Sequence, residues 1–364
     1  MAKHQTFRYG NLPELLEAID ALGVDLPVVD DVSILGEPLC LRHRELPNRL
    51  VVHPMEGCDG TGAGAPDTLT FRRYERFAAG GAGLIWVEAC AVVKDGRANP
   101  RQLYLHADTL AAFAELVRRT RAAACQRGFD PVLILQLTHS GRYSKPAGRP
   151  APIIAHHSAV LDPLTGVGPE HPLIGDEQLD ALQDDYVRAA ELAAEAGFDG
   201  IDIKSCHRSL ISELLASHTR PSSRYGGDYD GRTRLLREVM AKLASVVGDR
   251  LELTCRLNVY DGLEHPYGWG VSAAGKSRTI PQPDLTEPIR LIGQLVELGV
   301  SCVSVTGGNP YWRPHLNRPA DWATASAPVP DEHPLEGVAR LVSLTRAIQE
   351  AHPDLAVVGV GYTW

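Results

Sequence analysis

Lys204 and His207 stand three residues apart at the end of an apolar run, AGFDGIDIKSCH. Both side chains donate hydrogen bonds when protonated, so together they could hold an oxygen that gains negative charge. Enclosure in a pocket would lower the pKa of Lys204. The blander alternatives are an ion pair of Lys204 with Asp202 or Glu88, and a His207 that only packs. Gln136 closes a second run, VLILQL. A buried carboxamide must satisfy a donor and an acceptor, either on a ligand that offers both or on loop backbone. Arg256 follows LELTC. A guanidinium there keeps its charge and needs an anion, either a bound one or a structural carboxylate. His53, His139 and His207 with Lys204 also admit a metal-dependent hydrolase, in which a carbamylated lysine bridges metals. The first run lacks the His-x-His pair that such sites use.

A repeated unit must bring these residues together. Seven apolar runs read as buried strands alternating with amphipathic helices: LVVHP, LIWVEACAVV, PVLILQLTHSGR, GFDGIDIKS, LELTCRLNV, SCVSVTGG and LAVVGVGYTW. Continuous apolar runs of this length mark parallel strands covered on both faces. A parallel barrel gathers its C-terminal strand ends on one face. His53, Pro54, Met55, Glu88, Ala89, Gln136, His139, Lys204, His207, Arg256, Gly307, Gly308 and Gly361 would then share one pocket. The expected fold is α/β, a TIM (β/α)8-type barrel lacking the last strand–helix unit, because the chain stops at Trp364 just past the seventh run. Residues 1–49 read as an N-terminal extension, with a short helix in NLPELLEAIDALGV and a hairpin in PLCLRHRELPNRL that plugs the barrel bottom. Residues 50–364 form the incomplete barrel. The helix in TLTFRRYERFAAGGAG has Thr68 or Thr70 as its expected cap. Residues 143–175 and 259–284 show no periodicity, and loops of that length are usually functional.

Composition narrows the class. Hydrophobic residues make up 44% and charged residues 22%, enough for a large core. A formal net charge of −9 argues against nonspecific nucleic-acid binding. No apolar run reaches the ~18 residues of a membrane span. The start, MAKHQTFRYG, lacks the apolar core of a signal peptide. Seven scattered cysteines without a CxxC pair point to reduced thiols and a cytoplasmic protein. The partner to expect is a small-molecule substrate.

Taken in order, NRLVVHPM, GGAGLIWVEACAV, LQLTHSGR, AGFDGIDIK with His207 behind it, YGG followed by GRTR, and Arg256 resemble the flavin-dependent Old Yellow Enzyme family over residues 48–364. The resemblance implies a barrel holding FMN at its C-terminal face. It implies an FMN-dependent oxidoreductase in which NAD(P)H is the reductant and an activated alkene accepts hydride. On this likeness Gln136 meets the pyrimidine edge of the flavin. Arg256 lies against the negative charge that reduced flavin carries near N1 and the C2 carbonyl. Pro54, Met55 and Glu56 run along the ring, and Ala89 is the small residue beside it. Gly308 allows a close backbone approach, and Gly361 with Tyr362 gives backbone amides to the phosphate. Lys204 and His207 take the place of the His/His or His/Asn pair that binds the alkene's carbonyl oxygen.

Three departures qualify the likeness. Glu56 stands where many relatives carry a small Thr or Cys, so it should point away or pair with an arginine. Ser209 stands where many relatives have a proton-donating tyrosine, which leaves water, Tyr143 or another tyrosine. The Gly-Arg that completes the family's phosphate site falls in the strand-eight segment. The competing expectation is therefore a non-catalytic barrel with weak or no FMN binding.

Overall fold

The apolar runs are strands. The computed structural model describes residues 8–220, 222–273, 280–319 and 329–361. A hairpin of β1 (Leu39–Cys40) and β2 (Glu45–Leu46) precedes β3 (Val51–Val52), β4 (Leu84–Ala91), β5 (Val132–Thr138), β6 (Gly200–Ser205), β7 (Glu252–Tyr260), β8 (Val300–Gly307) and β9 (Ala356–Val358). The helices are α1 (Leu12–Leu22), α2 (Thr68–Ala79), α3 (Leu110–Cys125), α4 (Asp162–Thr165), α5 (Asp176–Glu195), α6 (Leu210–Leu215), α7 (Tyr229–Val247), α8 (Thr286–Glu297) and α9 (Pro334–Ala351). Strands β3 to β9 make one seven-stranded sheet in chain order. Every neighbouring pair is parallel. The two edge strands approach each other where His53 Nε2, after β3, lies 3.1 Å from the Gly359 carbonyl, after β9. The sheet is thus a nearly closed α/β barrel.

Alternation sorts two cores, since residues two apart on a strand share a face. Ile85, Val87, Leu133, Leu135, Ile201 and Ile203 pack with the helices. Leu84, Trp86, Val132, Ile134 and Cys302 pack on the opposite face, together with Leu46 of the hairpin. Continuing the inner series along each strand gives Gln136 on β5, Asp202 and Lys204 on β6, Thr254 and Arg256 on β7, and Ser304 on β8. The apolar inner layer fills the barrel bottom, and the polar layers stand above it.

Helix starts follow local chemistry. The cap of α2 is Asp67, not Thr68 or Thr70: its carboxylate accepts from the Thr68 N–H at 2.7 Å. Thr70 is the reciprocal partner, 3.3 Å from the Asp67 N–H. Aspartate is as good a cap as threonine or better.

The aperiodic stretch 143–175 is fixed by buried guanidiniums. Arg142 and Glu213 pair at 2.7 Å with both side chains fully buried. Arg142 also reaches Asp162 at 2.5 Å and the His156 carbonyl at 2.8 Å. Arg220 donates to the carbonyls of Ala155 at 2.6 Å and Ile174 at 2.5 Å. These bonds satisfy backbone that no helix or strand pairs. Among the described residues no helix is long and apolar enough to cross a membrane.

Candidate active site

Strand register sets two polar layers. Gln136, Asp202 and Thr254 are mutual neighbours on β5, β6 and β7. Two residues further on, Lys204, Arg256 and Ser304 are neighbours on β6, β7 and β8.

In the lower layer Gln136 Nε2 donates to Asp202 Oδ2 at 2.7 Å, and Thr254 Oγ1 donates to Asp202 Oδ1 at 3.0 Å. Both Gln136 and Asp202 are buried. Burial raises the Asp202 pKa to about 6, against the pull of these two hydrogen bonds and of Arg256. The Gln136 carbonyl oxygen takes no hydrogen bond from the described residues.

In the upper layer Arg256 is 7% exposed. Nη1 lies 3.4 Å from the Pro54 carbonyl, and Nε is buried without a partner. No described carboxylate is within ion-pairing distance, so the structural-carboxylate alternative for Arg256 fails. Ser304 Oγ and His53 Nδ1 are buried without partners as well.

Lys204 pairs with Glu56, Nζ to Oε1, at 2.9 Å. Burial opposes its charge, but the Glu56 carboxylate outweighs burial and raises its pKa. The expected lowering of the Lys204 pKa is therefore not met. Its partner is neither Asp202 nor Glu88. Glu56 neither points away nor takes an arginine. Glu88 is held instead by Arg73 and by the Gly57 N–H at 2.8 Å.

His207 adopts φ 57°, in the left-handed region that side chains rarely take. Its Nε2 lies 3.0 Å from Asn317 Nδ2. An amide nitrogen only donates, so Nε2 accepts and Nδ1 carries the proton, a tautomer assigned from this partner. Burial, then the charges of Arg256, Lys204 and His53, push the His207 pKa well below its ordinary value. These interactions place His53, Lys204, His207 and Arg256 around one volume. The rim above Lys204 is aromatic. Tyr143 and Tyr311 pack with ring centroids 3.9 Å apart and planes tilted by 31°. Burial raises the Tyr311 pKa, with Lys204, Glu56 and Cys58 as its charged neighbours. Ser209 Oγ donates to the Lys204 carbonyl at 2.9 Å, so its hydroxyl serves the turn.

The other sequence candidates fall as follows. Pro54 and Ala89 are buried, and the Ala89 carbonyl accepts from Gln102 at 3.0 Å. Met55 is 65% exposed, so its side chain is in solvent. Gly308 has φ 72°, and a Cβ there would come within 2.6 Å of the Asn317 nitrogen. Gly361, with φ 78°, ends the described residues, and Tyr362 lies outside them. His139 is buried, and its Nδ1 accepts from the Gly141 N–H at 3.0 Å. Among the described residues no group of three or more His, Cys, Asp or Glu could hold a metal. Sequence reasoning missed Asn317 and Tyr311, and it treated Asp202 only as a partner for Lys204. Asp202 was accessible: it sits two residues before Lys204, on the same face of β6.

A model of the NADH:flavin oxidoreductase / NADH oxidase family matches residues 35–278. The chain belongs to this family. Within it, the chain is similar to the NADPH dehydrogenase of Halalkalibacterium halodurans, 33% identical over 206 residues, covering 55% of this chain and 56% of that protein. It is also similar to the NADPH dehydrogenase of Bacillus pumilus, 31% identical over 281 residues, covering 75% and 73%. The chain thus spans little more than half of the first of these relatives. Among solved structures, 2-naphthoyl-CoA reductase in complex with 2-naphthoyl-CoA superposes with a TM-score of 0.68 at 18% identity, over 89% of this chain and 46% of that one. At that identity the likeness concerns the fold. FMN is the cofactor of the NADH:flavin oxidoreductase family and NAD(P)H its reductant. The pocket suits such a ring. A buried guanidinium without an anion and a carboxamide oxygen without a donor match a flavin's anionic N1–C2 edge and its imide N–H.

Proposed function

We propose that this protein is an NAD(P)H:flavin oxidoreductase that reduces an activated alkene, with Lys204 and His207 binding the substrate's carbonyl oxygen. The observation that carries the reading is Arg256, a buried cation with no carboxylate within ion-pairing distance among the described residues. A buried charge without a partner is costly, so its retention is explained by a ligand that supplies the anion. Bound FMN would accept hydride from NAD(P)H and deliver it to the acceptor.

The chain's own residues do the rest. Arg256 sits on β7 to stabilise charge on the reduced ring, worth roughly 4 kcal/mol for a separation of about 4 Å at an effective dielectric near 20. Gln136 offers its carbonyl to the imide edge. Pro54, Met55 and Glu56 follow the ring through their backbone, Ala89 leaves room beside it, and Gly308 and Gly361 let the main chain approach. Lys204 donates from its ammonium, and His207 donates from Nδ1 while remaining neutral. Together they polarise the acceptor carbonyl and hold the oxyanion. Tyr311 keeps its proton at neutral pH and supplies it to the α-carbon, the task Ser209 is not free to perform. Within the N-terminal extension, residues 1–49, the β1–β2 hairpin caps the barrel bottom, where Leu46 joins the inner core. The seven free cysteines support a cytoplasmic location.

The test is reconstitution. The purified protein mixed with FMN should quench flavin fluorescence with saturation, and the complex should bleach on addition of NADPH or NADH. A protein that takes up no flavin overturns the proposal.

A further inference from the structure

A carboxamide has an accepting end and a donating end of nearly the same shape, and its neighbours decide which one faces a ligand. At Gln136 that decision is made by a single buried group. Asp202 Oδ1 is occupied by the Thr254 hydroxyl at 3.0 Å, and Oδ2 faces Gln136 at 2.7 Å. An ionised carboxylate only accepts. Turning the Gln136 amide over would bring two oxygens together at that distance, inside a buried layer whose low dielectric strengthens the repulsion. The nitrogen of Gln136 is thereby held toward Asp202. Its carbonyl oxygen, which takes no hydrogen bond from the described residues, is thereby left on the side away from Asp202.

We propose that Asp202 is a positioning residue that fixes Gln136 with its carbonyl outward, so that the pocket selects a cyclic imide with an intact N–H beside a carbonyl. The inference rests on the flavin reading above and adds a basis for ring recognition. Oδ2 of Asp202 is the element that makes Gln136 an acceptor. Without it the amide rotates, presents N–H to N–H, and no longer distinguishes an imide from its N-alkylated form. Asp202 touches no ligand itself and acts only through Gln136.

The experiment compares two probes, FMN and FMN methylated at N3, titrated by flavin fluorescence into the apo protein and its variants. Methylation removes the N–H and leaves the Gln136 oxygen unpaired, so the wild-type protein should prefer FMN by about tenfold or more. Asp202→Leu, close in volume, should bring the two affinities within about threefold of each other. Gln136→Leu should do the same, and the double variant should add nothing further. Asp202→Asn retains an oxygen that can accept the same N–H, and it should keep the preference. The ratio of affinities is insensitive to general loosening or to lost charge near Arg256, because both probes feel those equally. A tenfold preference that survives Asp202→Leu overturns the inference. So does a wild-type protein that binds both flavins alike, a result that stands even where Asp202→Leu does not fold. Absence of binding by either flavin to the wild-type protein strikes at the flavin reading instead.

Discussion

Lys204 and Glu56 meet in an ion pair of 2.9 Å that joins β6 to the loop after β3, across 148 residues of sequence. Their side chains are 14% and 24% exposed, so the pair is neither a loose surface contact nor a fully dry one. Breaking one side leaves an uncompensated charge in a poorly solvated place. Glu56→Gln alone should destabilise the apo protein by about 1–3 kcal/mol in urea denaturation, between surface and buried cases. Glu56→Gln combined with Lys204→Met should recover most of that loss. Additive losses in the double variant would mean the two charges do not depend on each other.

Arg256 should show opposite signs in stability and binding. Replacing a buried guanidinium that has no ion-pair partner among the described residues by a neutral side chain of similar reach removes a desolvation cost. Arg256→Gln should therefore stabilise the apo protein by about 1–2 kcal/mol. The same change should weaken FMN binding by about ten- to hundredfold through the lost charge-assisted contact. Denaturation without flavin and a fluorescence titration measure the two. A destabilised apo variant would show that the guanidinium's contacts within the protein, the Pro54 carbonyl among them, outweigh its desolvation.

Tyr311 and Ser209 separate proton donation from turn structure. Tyr311→Phe should slow enone reduction by about 10²-fold or more, the usual worth of a positioned acid, and leave flavin reduction by NADPH unchanged. Ser209→Ala should leave both half-reactions unchanged and cost about 1 kcal/mol of stability for the lost bond to the Lys204 carbonyl. Rapid mixing resolves the two steps. An unaltered enone rate in Tyr311→Phe would move the acid to Tyr143 or to water.

Acid should unfold the protein early. His53 and His139 have pKa values lowered to about 4, and His156 and His207 are pushed lower still, each chiefly by burial. Their unfolded counterparts titrate near 6.5, so between those values the unfolded chain binds more protons and stability falls as pH falls. Each contributes up to about 1.4 kcal/mol per pH unit across that window. Asp202 acts the other way: with a folded pKa of about 6, its contribution is lost as pH rises through that value. His218 and His315 are lowered too and Glu88 is raised, so six histidines stand against two carboxyls and the net slope favours neutral pH. Thermal midpoints from pH 7 to pH 4.5 should fall throughout, and a flat profile would contradict the buried neutral rings.

The barrel was legible because its signals are local. LIWVEACAVV and VLILQLT carry their own burial in their composition, and the position of Gln136 at the end of its run already placed it at the strand-end face. The clustering of Arg256 with Lys204 followed from register, which parallel strands of matched length enforce. Partner choice was not legible in the same way. Lys204 had three carboxylates to choose from, and the bend of the loop after β3, not sequence distance, delivers Glu56 to it. The cap of α2 escaped for a smaller reason, since Asp67, Thr68 and Thr70 are all competent and only backbone geometry selects among them. Asn317 reaches His207 from an irregular segment after β8, where no periodicity forecasts direction.

The buried guanidiniums of Arg142 and Arg220 have a consequence for traffic through the molecule. A stretch of chain stitched at several carbonyls and one fully dehydrated carboxylate cannot swing aside on the timescale of turnover without breaking most of those stitches at once. That side of the entrance is masonry. Tyr311, 56% exposed, packs against the first residue of that stretch, Tyr143, and so borders ground that does not move.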